Sequence, residues 1–177
     1  MKSLARKKFL CLSLLLVSAL LFSCVPQEVS PLPWNRGELS FLGSYEENGV
    51  TFTAHFSVSA TAATTVLDGR SATVTLISPS SVEGITYRLD GDGYSVERDG
   101  ERVLLSLCPA PIASLLLFFP TDATLGHVES TGDGRTETVL AADGTYVYVY
   151  TAEGERPTSV TKDDGIFHRS LTVIAWE

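Results

Sequence analysis

Cysteine is scarce in this chain, with three among 177 residues, Cys11, Cys24 and Cys108. So few thiols exclude the disulfide framework of small exported domains. Basic residues are also few: 13 Lys and Arg stand against 21 Asp and Glu, for a net charge of −8. A nucleic-acid partner is therefore not expected, because phosphate neutralisation needs a basic surface. Long apolar runs are missing too. The best, Phe9 to Phe22, is 14 residues interrupted by serines, too short to cross a hydrocarbon core of ~30 Å as a helix. The motifs of common hydrolases are lacking: there is no G-x-S-x-G, no H-E-x-x-H and no cysteine pair. No enzyme activity, cofactor or metal is expected on that ground. What is present argues for a folded chain, since 44% of the residues are hydrophobic and only 19% charged.

The N-terminus reads as an address. Lys2, Arg6, Lys7 and Lys8 precede the apolar run with no acid among them, the pattern of a secretory signal. The run ends Leu21-Phe22-Ser23-Cys24, which resembles the lipobox of bacterial lipoproteins. That resemblance implies cleavage before Cys24, a diacylglyceryl group on its thiol and acylation of the new amine. Two or more acyl chains give stable anchoring. The expected address is the outer face of the cell membrane, or an outer membrane. Removing residues 1–23 leaves 154 residues with nine basic and 21 acidic side chains, and Cys108 as the one unmodified thiol. Residues 24–36, with prolines at 26, 31 and 33, read as the lipidated cysteine and a flexible tether. The folded domain is expected over 37–177.

That domain reads as strands. Val50, Phe52, Ala54, Phe56 and Val58 alternate with polar residues, so one face meets a core and the other water. Further strands are expected at 72–76, 85–89, 94–96, 103–107, 136–140, 145–150, 157–161 and 166–176. Seven Asp-Gly dipeptides and Asn48-Gly49 punctuate them, as hairpin turns with positive φ require. Asp90-Gly-Asp92-Gly93 is read as such a turn and not as a calcium loop, because Tyr94 stands where a third ligand would be needed. His55 is expected on the wet face of its strand, with His168 within possible reach across a sheet. Cys108, before Pro109, is expected to be a buried, inert thiol. One segment breaks the alternation: Pro109 to Pro120 encloses Leu115-Leu-Leu-Phe-Phe119. A short helix from Pro111, apolar nearly all round, is buried against a core or covers an apolar opening.

A lipobox, a tether, meandering strands, a short apolar helix and a last group of strands resemble, in that order, the LolA/LolB-like lipoprotein carriers. Two connections add to the resemblance, Ser78-Pro-Ser-Ser-Val-Glu-Gly-Ile85 and Gly154-Glu-Arg-Pro-Thr-Ser-Val160. The resemblance implies a mainly β fold, a curved antiparallel sheet or half-open barrel with the short helix over its concave side. It also implies binding of a lipid or other hydrophobic ligand, with Ile112, Leu115, Leu116, Phe118 and Phe119 as cavity-lining candidates. Residues 37–47 look extended where such carriers often have a long helix. The alternative is an envelope lipoprotein with a filled core, which meets protein partners and holds no small ligand.

Overall fold

The computed structural model describes residues 32–35, 37–59, 67 and 69–177. The expected signal segment 1–23, Cys24 and the expected tether up to residue 31 lie outside the described residues, as does Asp68. The eleven strands are β1 (Leu39–Glu47), β2 (Val50–Ser59), β3 (Ser71–Ser78), β4 (Thr86–Asp90), β5 (Gly93–Arg98), β6 (Glu101–Leu105), β7 (Thr124–Thr131), β8 (Gly134–Ala141), β9 (Gly144–Thr151), β10 (Ser159–Asp163) and β11 (His168–Trp176). The helix α1 (Ala110–Leu115) runs into a 3-10 turn, Leu116–Phe118.

All strands join one open, curved antiparallel sheet in the order β6-β5-β4-β3-β2-β1-β11-β10-β9-β8-β7. Every neighbour but one is also next in sequence. The exception, β1 on β11, zips the beginning of the domain to its end, with Phe41 opposite Trp176 and Glu47 opposite Arg169. The path therefore runs outward from β1 to β6, leaps the full width of the sheet and returns from β7 to β11. The leap is residues 106–123, and it carries the helix. Because β6 and β7 are the two free edges, the connection between them must cross a face, and it crosses the concave one.

Tight turns set the register. Asn48 and Gly49 link β1 to β2 with φ of 51° and 79°, and Asp99 and Gly100 link β5 to β6 with φ of 52° and 86°. Both central residues are left-handed, as the twist of a two-residue hairpin demands. The Asp90–Gly93 segment is a turn between β4 and β5, in which Asp90 Oδ1 accepts the Asp92 amide at 3.0 Å. Alternation then selects the core: Phe41, Phe52, Phe56, Val58, Val74, Tyr148, Val160 and Leu171 all face inward and are buried.

Three readings need correction. The tether was expected to reach residue 36, but Leu32 is buried and Pro33–Asn35 forms a 3-10 turn docked on the domain. Trp34 Nε1 donates to Tyr150 Oη at 3.1 Å, and Asn35 Nδ2 donates to the Phe118 carbonyl at 3.3 Å. A single docked turn has no period, so only its tryptophan could have signalled it. Strand β7 was not foreseen. It is an edge strand, mostly exposed, with a bulge between Leu125 and His127, so its sequence carries no inward-outward alternation. Cys108 was expected to be buried and is exposed. It follows β6 at the free edge of the sheet.

Candidate functional site

The concave face is where the fold concentrates its unusual features. Pro109 and Pro111 start α1 without a capping side chain; proline suits these positions because the first amides of a helix have no partner to lose. Only six residues of α helix follow before the chain tightens. Ile112, Leu115 and Phe118 are fully buried, and Leu117 nearly so. Phe118 sits at the centre of an aromatic cluster, with ring centroids 5.2 Å from Phe41, 5.4 Å from Trp34, 6.0 Å from Trp176 and 6.5 Å from Tyr148. Leu116 and Phe119 are partly buried against the same core. The five candidates thus divide: three look into packed core, and two look along the rim.

Polar ties hold this plug at few points. Tyr148 Oη donates to the Leu117 carbonyl at 2.8 Å, and burial pushes the phenol well above its ordinary pKa, so it remains a donor at all ordinary pH. Asn35 supplies the second tie, to Phe118. The backbone bonds of the segment are local, Ala113 N to Pro109 O and Phe119 N to Leu116 O, each at 2.9 Å. Among the described residues, none joins it to a strand.

Leu116 and Phe119 form one wall of a groove of about 210 Å³, whose other wall is Asp143, Tyr146, Lys162 and Arg169. Register explains that second wall: Tyr146 lies opposite Lys162 and Lys162 opposite Arg169 on adjacent strands, all on the inward face. The Lys162 side chain is only 9% exposed. Its ammonium donates to Asp143 Oδ2 at 2.5 Å and lies 5.1 Å from the centre of the Tyr146 ring. Burial pushes the Asp143 carboxyl up, but hydrogen bonds from Lys162 and Tyr146 outweigh it and hold the group below the usual carboxylate range. Arg169 donates to Glu47 Oε1 at 2.6 Å and thereby holds Glu47 low as well. Sequence reading missed this rim, since its members come from the β8–β9 turn and three strands. The signal available was an inward-parity Lys162 in an otherwise apolar row.

A second depression, about 700 Å³ and open, lies beside Trp34, Glu38, Arg135, Glu153 and Arg156. Both arginines lie over rings, Arg135 over Tyr150 at 4.1 Å and Arg156 over Trp176 at 5.1 Å. Its acids and bases are mixed.

The histidines do not converge. His55 pairs in register with Leu42 and Thr75, with Nδ1 3.2 Å from Glu177 Oε1, whereas His168 pairs with Asp163 at the other end of the sheet. The Cys108 thiol is pushed up by desolvation, only partly offset by a hydrogen bond from Tyr94, which leaves it protonated at neutral pH. Among the described residues, no group of three His, Cys, Asp or Glu could hold a metal ion, and no helix is long and apolar enough to cross a membrane.

No protein-family model matches the chain, and neither does any curated protein. Solved structures do. An uncharacterized conserved protein from Thermus thermophilus aligns over 83% of this chain and 82% of its own, with a TM-score of 0.51 at 12% identity. The lipoprotein LppX of Mycobacterium tuberculosis aligns over 82% and 90%, with a TM-score of 0.43 at 16% identity. A LolA superfamily protein from Nitrosomonas europaea aligns over 80% and 86%, with a TM-score of 0.43 at 11% identity. At such identities the likeness is one of fold. LolA-superfamily and lipoprotein structures are among those with which the chain aligns.

Proposed function

We propose that this protein is an exported, lipid-anchored, non-enzymatic binder of a lipid or other hydrophobic ligand, sheltered on the concave face when the segment 109–120 moves aside. The observation that supports this reading is the way the segment is held. Its side chains fill the concavity, yet among the described residues no backbone hydrogen bond ties it to a strand. Moving it aside leaves the ten strand pairings of the sheet untouched. The apolar surface it uncovers is then covered by the ligand instead, at ~25 cal/mol per Å² on both sides of the exchange. Leu116 and Phe119, which wall the groove at the rim, are where an acyl chain would first meet the segment. The anchor is Cys24 in the Leu21–Cys24 lipobox.

Native mass spectrometry and lipid extraction of soluble 25–177 test the reading. A co-purified apolar mass is expected, and apo protein that binds no apolar dye overturns it. Cys24→Ala is expected to release the full chain from membranes into the soluble fraction; a variant that still sediments with membrane refutes the anchor. A second reading has its own observation. Ile112, Leu115 and Phe118 are fully buried, so the concavity under them is a filled core, and an envelope interaction protein needs no more than that. Clean apo protein is the result that reading expects.

A further inference from the structure

The antiparallel order gives the sheet two ends. One carries the start of β1, the close of β11 and the docked turn Pro33–Asn35; the other carries the β1–β2, β8–β9 and β10–β11 turns. This second end has an apolar patch that none of the described residues covers. Ile166 is 82% exposed, Val50 65% and Phe167 40%. Val50 sits opposite Glu47, Glu47 opposite Arg169, and the Arg169 guanidinium lies 5.3 Å from the Phe167 ring centre. Val50 and Phe167 thus border one stretch of rim, and Ile166 precedes Phe167 at the tip of the β10–β11 turn.

The surroundings specify what would cover it. Glu46, Asp122, Asp143, Asp163 and Asp164 are exposed at this end. The basic side chains between them are engaged already, Lys162 with Asp143 and Arg169 with Glu47. Carboxylates outnumber basic side chains around the patch, a balance that disfavours an anionic bilayer and a second copy of a chain with net charge −8. It attracts a basic partner. We infer that this end is a docking surface for a basic segment of another protein, whose own apolar side chains pack on Ile166, Phe167 and Val50. The tip is held for that contact. Asp164 Oδ1 accepts the amides of Ile166 and Phe167 at 3.0 and 2.8 Å, and Asp163 Oδ1 accepts that of Gly165 at 2.8 Å. A tip already ordered loses little conformational freedom on binding. The inference is independent of any ligand on the concave face.

Site-specific photo-crosslinking of the full chain in cells tests it, with the crosslinker at position 166 and, as control, at Glu155 in the β9–β10 loop of the opposite end. Position 166 is expected to yield a protein adduct at least tenfold more abundant than position 155, mapping by mass spectrometry to a segment rich in Lys or Arg and bearing apolar residues. Lipid adducts, self-adducts, equal yields at the two positions or no adduct overturn the inference. In vitro, a synthetic peptide alternating leucine and lysine is expected to bind the purified chain, weakening with salt, while its leucine–glutamate counterpart does not. The double variant Ile166→Ser/Phe167→Ser is expected to weaken that binding at least tenfold with an unchanged melting temperature. Equal binding of the two peptides, or an unaffected double variant, refutes the surface.

Discussion

The sheet and the segment that plugs it are held by different forces. Each strand is tied to its neighbours by backbone hydrogen bonds, and β1 is tied on both sides, to β2 and to β11. Among the described residues the plug is tied by buried side chains, by hydrogen bonds from Tyr148 and Asn35, and by the Arg70 guanidinium over the Phe119 ring. A ladder of backbone bonds resists local opening because its bonds break cooperatively. A packed side-chain plug can leave as a unit when something else covers the surface. The contrast shows that one chain can build a hydrogen-bonded frame and a filling held by side chains, with the filling in the crossover between the two free edges.

The largest test of this contrast is Phe118→Ala. Phe118 is fully buried and meets Trp34, Phe41, Tyr148 and Trp176, so its loss is expected to cost about 3–5 kcal/mol, read from urea denaturation. Far-UV dichroism of the folded variant should still report the intact sheet; loss of the sheet signal would mean that plug and frame are one cooperative unit. Gly134→Ala attacks the frame. A Cβ there would collide with the Tyr150 carbonyl oxygen, a clash with backbone that only strand movement can relieve. A loss of about 2–3 kcal/mol is expected, with the β8–β9 amides losing hydrogen-exchange protection and the plug keeping its own. Tyr148→Phe removes one of the plug's polar ties and leaves the buried Leu117 carbonyl without its donor. About 1–2 kcal/mol is expected, with faster exchange confined to residues 112–119; faster exchange in β1 and β11 as well would contradict the separation.

The smallest effect concerns acid. Asp143 and Glu47 are held below the usual carboxylate range. Each therefore contributes stability that is present above the unfolded-state value and lost as pH falls through the folded one. Melting temperature followed from about pH 7 to about pH 3 should decline less steeply in Asp143→Asn than in the parent. Parallel curves would show that the Asp143–Lys162 pair at the rim adds nothing to the hold on the plug.

Much of the frame was legible. The Val50–Val58 alternation, the Asp-Gly turns and the Leu171–Ala175 stretch all correspond to strands and hairpins, because a half-buried strand must repeat every two residues. The apolar segment between Pro109 and Pro120 was legible as a short helix for the opposite reason, having no such repeat. Strand β7 escaped because an edge strand with a bulge buries almost nothing, and the docked Trp34 turn escaped because three residues make no period. Of the rim groove, the apolar wall was legible in Leu116 and Phe119, and the polar wall had only the inward parity of Lys162 as its signal. Tyr146, Lys162 and Arg169 are up to 23 positions apart, and only cross-strand register sets them side by side.

By itself the sequence determined the local grammar: which residues alternate, where the chain turns, and that one proline-bracketed segment is apolar all round. Those properties depend on neighbours within a few positions, and backbone stereochemistry enforces them locally. The tertiary structure decided what the segment meets. Pairing of β1 with β11 placed the two free edges at β6 and β7, and the chain between them had to cross the concave face. Burial against Phe41, Tyr148 and Trp176 follows from that closure, since side chains more than a hundred residues apart along the chain share a core only once the sheet has curved.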